Sequence, residues 1–127
     1  MLKKKISILI LALLVAINTN KIFGSSKFGW LKDNEEWYYL NETGEIQLDW
    51  KLIDDKWYYF DSNGKMQTGW LNDKGIWYYL NETGEMQLNW KLIDGKWYYF
   101  DLSGQMKTGW LKDKVIWNYL NQTGEMQ

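Results

Sequence analysis

The sequence predicts an all-β protein, a β-hairpin solenoid, and three observations carry that prediction. From Gly29 onward the chain repeats every 20 residues without insertion, the mark of a stacked-repeat architecture. Each unit holds a run of β-favouring aromatics such as "KWYYF", bounded by short polar segments rich in Gly, Asn and Asp. No unit sustains a helical apolar period long enough to make a helix.

Residues 1 to 26 stand apart from the repeats. Lys3, Lys4 and Lys5 precede an apolar run from Ile6 to Ile17 and a polar stretch ending in Gly24, Ser25 and Ser26, the layout of a secretory signal peptide. The run is short for a membrane span, which needs about 20 apolar residues. Gly24 and Ser26 suit a small-residue cleavage site, which implies a secreted protein. Removing the segment takes four lysines and no acid away, so a chain of formal charge −1 becomes one of −5. An acidic mature chain argues against nucleic acid and anionic lipid as partners and tolerates a cationic ligand.

The repeat array occupies residues 27 to 127, as about five 20-residue units from Gly29, the last one incomplete. Trp30, Trp50, Trp70, Trp90 and Trp110 form one series on the grid, and Trp37, Trp57, Trp77, Trp97 and Trp117 a second. Gly44, Gly64, Gly84, Gly104 and Gly124 form a third. A longer rhythm overlays the first, because units with "GWL" and "YLNETGE" alternate with units carrying "WKLID" and "YFD". That alternation suggests duplication of a pair.

Within a unit such as "KWYYFDSNGKMQTGW", an aromatic run meets a polar turn ending in Gly and then a second short run. Gly64 and its equivalents suit a left-handed position, which places the hairpin turn here. The second turn signal, "DNEE", "DDK", "DKG" or "DGK", then separates one hairpin from the next. Pleating sends Trp57 and Tyr59 to one side of the strand and Tyr58 and Phe60 to the other. With both faces aromatic, each hairpin expects a neighbour or a ligand on each side, and a lone hairpin is marginal in water. The second Tyr of each pair (Tyr39, Tyr59, Tyr79, Tyr99, Tyr119) and the following Leu or Phe are the core candidates. Met66, Met86 and Met106 join them, although a Met also suits the floor of an apolar pocket.

Composition narrows the chemistry. With no Cys and no His, the chain lacks the thiol nucleophile, the commonest general base and the usual zinc ligands. Disulfides are excluded, so packing must stabilise the fold. No catalytic residue, metal site or cofactor is expected. Aromatic residues make up 18% of the chain, so recognition by ring faces is the chemistry that remains.

The units "GWLNDKGIWYYLNETGEMQLNW" and "WKLIDGKWYYFDLSGQMKTGW" resemble the choline-binding, or cell-wall-binding, repeats of Gram-positive surface proteins, over about residues 29 to 127. The resemblance implies a left-handed superhelix of stacked hairpins. It implies a secreted, wall-associated module that binds the choline of teichoic acids or another wall polymer between consecutive hairpins. A quaternary ammonium has a diffuse charge and no hydrogen-bond donor, so aromatic faces suit it. Carried over position by position, the sites are Trp30, Trp37 and Tyr58, then Trp50, Trp57 and Tyr78, then Trp70, Trp77 and Tyr98. A fourth joins Trp90 and Trp97 to position 118, where Asn118 replaces the Tyr and removes a wall.

Other signals carry less. Asn41, Asn81 and Asn121 match the N-glycosylation pattern but sit where turns favour Asn. "DSNGK" at Asp61 resembles the opening of a calcium loop without its later ligands. Glu42, Glu45, Glu82 and Glu85 fall in repeated turns and read as solvated surface rather than a glycosidase pair. A glucan- or glycan-binding array is the competing function, and a wall hydrolase is disfavoured because the repeats fill the mature chain. Finally, the short second strand of the last hairpin predicts a frayed C-terminus or a homodimer closed through that hairpin.

Overall fold

The computed structural model describes residues 28–127, and the signal-peptide reading of residues 1 to 26 lies outside them. Ten strands follow in order: β1 (Gly29–Asp33), β2 (Glu36–Leu40), β3 (Asp49–Ile53), β4 (Lys56–Phe60), β5 (Gly69–Asp73), β6 (Ile76–Leu80), β7 (Asn89–Ile93), β8 (Lys96–Phe100), β9 (Gly109–Asp113) and β10 (Ile116–Leu120). They pair as five consecutive antiparallel hairpins, and no helix occurs among the described residues. The all-β hairpin prediction is borne out. Two compact units divide between Gln67 and Thr68, the first holding β1 to β4 and the second β5 to β10.

The hairpin turns are the reverse of the sequence expectation. Each hairpin closes through the two-residue turn at "DNEE" or its copies, as in the pairing of Asp33 with Glu36 and of Trp30 with Tyr39. Asn34 and Glu35 have φ of 48° and 67°, and Asp94 and Gly95 of 49° and 78°. Positive φ at both central residues gives a two-residue turn the twist of its flanking strands, which explains the Asn, Asp and Gly found there.

The Gly64-type turn instead leads out of the hairpin. The Asp61 side chain accepts hydrogen bonds from the Asn63 and Lys65 amides through Oδ1, closing an Asx turn in place of a calcium loop. The Oδ1 atoms of Asn41, Asn81 and Asn121 likewise each accept from a Thr amide, its hydroxyl and a Glu amide. These Asn side chains build turns. Gly64 and Gly104 have φ of 82° and 81°, and a Cβ there would collide with Ile46 and Met86 respectively.

After this turn the chain bonds to two hairpins at once. In the first unit, Gln67 N donates to Tyr59 O on its own hairpin, and Met66 N donates to Trp37 O on the preceding one, both at 2.8 Å. In the second unit, Met106 N donates to Trp77 O and Met126 N to Trp97 O. This shared segment stitches successive hairpins within each unit. Fraying is not what the last turn does, because Met126 keeps that bond and Gln127 N donates to Tyr119 O at 2.9 Å.

Alternation assigns the faces. One face of the first hairpin carries Trp30, Trp37 and Tyr39, and the other carries Tyr38 and Leu40. The core forms where the second kind of face meets the first. In the first unit Ile53, Tyr58 and Phe60 are buried, with Tyr39 and Met66 packed against them. Ile93, Tyr98 and Phe100, with Tyr79 and Met106, repeat the arrangement in the second unit. The expected Leu and Phe positions are core residues, but the Tyr positions need correction. The first Tyr of the pair is the buried one, as at Tyr38, Tyr58 and Tyr98, whereas the second is half-buried and Tyr119 is exposed. The second Tyr shares its face with the Trp pair and packs edge-on against one of them, Tyr39 lying 5.2 Å from Trp30 between ring centres.

Candidate functional site

Strand alternation and hairpin stacking together build an aromatic enclosure. Trp30 on β1 and Trp37 on β2 project from one face, set edge to face at 6.2 Å and 89°. Tyr58 reaches them from β4, its ring 4.8 Å from Trp30 at 71°. The second unit repeats this geometry: Trp70 and Trp77 stand 6.2 Å apart at 85°, and Tyr98 lies 4.8 Å from Trp70 at 71°. Identical spacing in separate units follows from the 40-residue rhythm, which sets Trp70, Trp77 and Tyr98 each 40 positions after Trp30, Trp37 and Tyr58.

Trp70, Trp77 and Tyr98 line a cavity of about 370 Å³, together with Met106, Gln122 and Thr123. Both Trp rings are partly exposed, at 37% and 42%, so their faces are open to a ligand. Tyr98 is both wall and core residue, only 8% exposed. Burial pushes its hydroxyl above the usual tyrosine range, and the neighbouring Glu125 carboxylate adds to the rise. Glu125 lies near that hydroxyl and accepts from Lys96 Nζ at 2.8 Å. The Lys96 bond, acting against burial, holds the Glu125 carboxyl below its ordinary value. A fixed carboxylate therefore stands at the hydroxyl end of the Tyr98 ring.

A second cavity, of about 360 Å³, is lined by Trp90, Trp97, Asn118, Asp113, Ile116 and Met126. The structure thus brings the fourth sequence-predicted group together around the Asn. Trp90 Nε1 donates to Asp113 Oδ2 at 2.9 Å. Trp50 and Trp57 lie on β3 and β4 of the first unit and Tyr78 on β6 of the second, each at the strand position of its counterparts. Trp110 and Trp117 are more open, at 70% and 60% exposure.

The Trp faces already attract cations from the chain itself. Lys32 Nζ sits 6.0 Å from the Trp37 ring centre and Lys112 Nζ 5.7 Å from that of Trp117. No group of three or more acidic side chains able to hold a metal occurs among the described residues. What the enclosures offer chemically is ring faces over an apolar floor, a surface for a diffuse cation.

The family resemblance named the Trp, Tyr and Asn positions that line these two cavities, but not Gln122, Thr123, Asp113, Ile116 or Met126. Gln122 and Thr123 come from the turn after β10, so nothing adjacent in sequence ties them to Trp70. Asp113 did carry a signal, because Asp alternates with Ile at this grid position, as Asp33, Ile53, Asp73, Ile93 and Asp113.

Comparison with known proteins adds independent findings. The family model described as the choline-binding repeat matches residues 48–89 and 88–127, and a cell-wall-binding repeat model matches 29–46. Choline binding protein F of Streptococcus pneumoniae, crystallised with a peptidoglycan analogue, is 45% identical with a TM-score of 0.77, over 80% of this chain and 34% of its own. A pneumococcal cell-wall endolysin from phage Cp-1, complexed with choline, is 38% identical at a TM-score of 0.66, over 86% of this chain and 32% of its own. A choline-binding domain from Streptococcus pneumoniae is 35% identical at a TM-score of 0.57, over 64% of this chain and 95% of its own. The chain therefore spans about a third of the length of the first two solved proteins. No curated protein sequence matches it.

Proposed function

Since this chain belongs to the choline-binding repeat family, we propose that it is a non-enzymatic attachment module, secreted to the cell wall, which holds choline groups of teichoic acids in aromatic cages between consecutive hairpins. The observation that carries this reading is the cavity formed by Trp70, Trp77 and Tyr98 over Met106. Three ring faces at about 0.5–2 kcal/mol each supply about 1.5–6 kcal/mol, a range centred on a dissociation constant of about a millimolar for one site. Repetition along a polymer turns such weak sites into useful avidity.

Titrating the purified chain with choline while following Trp fluorescence tests the proposal. A saturable change in the millimolar range is expected, and no change up to tens of millimolar would overturn it. The polar rim at Gln122 and Thr123 favours a second reading, a glycan-binding array. Retention on immobilised dextran that free choline does not reduce would select that reading. The open rings of Trp110 and Trp117 support a homodimer through the last hairpin, which light scattering with and without choline would detect.

A further inference from the structure

The two cavities of the second unit occupy equivalent repeat positions yet differ in chemistry. Trp90, Trp97 and Met126 correspond to Trp70, Trp77 and Met106, but Asn118 stands where the other cavity has Tyr98. Asp113 lines the cavity from the position that Ile93 fills in the preceding hairpin, where Ile93 is only 6% exposed in the apolar core. Asp113 pairs across the hairpin with Ile116, and Asn118 shares their face, so all three point toward Trp90 and Trp97. Two hydrogen-bonding groups have thus replaced a ring face and an aliphatic side chain.

We propose that this cavity is a site of separate specificity, taking a primary ammonium group with N–H donors in preference to a trimethylammonium. The inference rests on reading these aromatic cavities as cation sites. A trimethylammonium has no donor, so it feels the charge of the Asp113 carboxylate but makes no hydrogen bond to it or to the Asn118 carbonyl, and it loses one ring face. A primary ammonium is more strongly hydrated and needs acceptors to replace its water. Asp113 commits Oδ2 to Trp90 Nε1 and keeps Oδ1 for a ligand. The Asn118 amide has no hydrogen-bond partner among the described residues and can accept through Oδ1. Charge-assisted bonds of this kind are about twice as strong as neutral ones. Trp90 and Trp97 then contact the methylene groups and add cation–π attraction.

Indole N–H resonances of the ¹⁵N-labelled full chain, assigned by single Trp→Phe variants, test the proposal site by site with ethanolammonium and choline as probes. Trp90 and Trp97 should respond to ethanolammonium at concentrations about fivefold or more below those needed for choline. Trp70 and Trp77 should show the opposite order. Asn118→Tyr restores a residue that the repeat accommodates at Tyr58 and Tyr98, and should reverse the order at Trp97. Asp113→Asn keeps an acceptor for Trp90 Nε1 and should weaken ethanolammonium about tenfold there, leaving Trp70 and Trp77 unchanged. Choline preference at Trp90 and Trp97, or no response there to either probe, overturns the proposal while a choline response at Trp70 and Trp77 leaves the attachment function standing.

Discussion

Trp77→Ala isolates one wall of the proposed cage at Trp70, Trp77 and Tyr98. Trp77 lies on β6, is 42% exposed, and meets Trp70 edge to face at 6.2 Å, so its removal opens the cavity without emptying the core. Truncating Tyr98 would be less informative, because a buried aromatic cut to Ala costs about 3–5 kcal/mol of stability. Losing one ring face should cost about 0.5–2 kcal/mol of choline binding at this site, a weakening of roughly 2- to 30-fold. Isothermal titration calorimetry on the full chain should show one site fewer, or one site displaced to higher concentration. Leu102→Ala, at an 82% exposed position, serves as the control and should change neither quantity. Unchanged stoichiometry and affinity in the Trp77 variant would refute the cage.

Gly75 and Gly104 separate backbone strain from crowding. Gly75→Ala meets open space at φ 86° and should cost about 1–2 kcal/mol by thermal melting, whereas Gly104→Ala at φ 81° also collides with Met86 and should cost about 1–3 kcal/mol more. Equal losses would mean that Met86 yields freely. Asp101 predicts a pH effect: burial acts to raise its carboxyl, but bonds from Lys107, Ser103 and Gln105 hold it at about 2, below the ordinary 3.8. A depressed folded-state value means that its contribution, about 1 kcal/mol after solvent screening, is complete above about pH 4 and lost as pH falls toward 2. Asp101→Asn should flatten that part of the acid melting curve while keeping the turn, since Asn81 and Asn121 build the same turn. A curve unchanged by the substitution would remove Asp101 from the account.

Much of the fold was legible because the grid of Trp and Gly is sequence-local and periodic. Which turn closes the hairpin was not, since "DNEE" and "NETGE" are both short, polar and rich in turn formers. Only the pairing of Trp30 with Tyr39 decides between them, and that pairing is a property of the folded strands. The same limit misassigned the buried Tyr. In "WYYF" both faces are aromatic, so alternation shows that Tyr38 and Tyr39 point opposite ways without showing which face is covered. At the site, the Trp and Tyr positions were reached through the family resemblance, which carries them over position by position along the grid. Gln122 and Thr123 were not, because a turn more than one repeat away brings them to the rim of the Trp70 cavity.

A structure of the chain saturated with choline bears most directly on the central claim. The attachment account predicts a trimethylammonium group between Trp70, Trp77 and Tyr98, above Met106, in ring contact on three sides. A cavity that stays empty at saturation, with choline bound elsewhere or not at all, would contradict it.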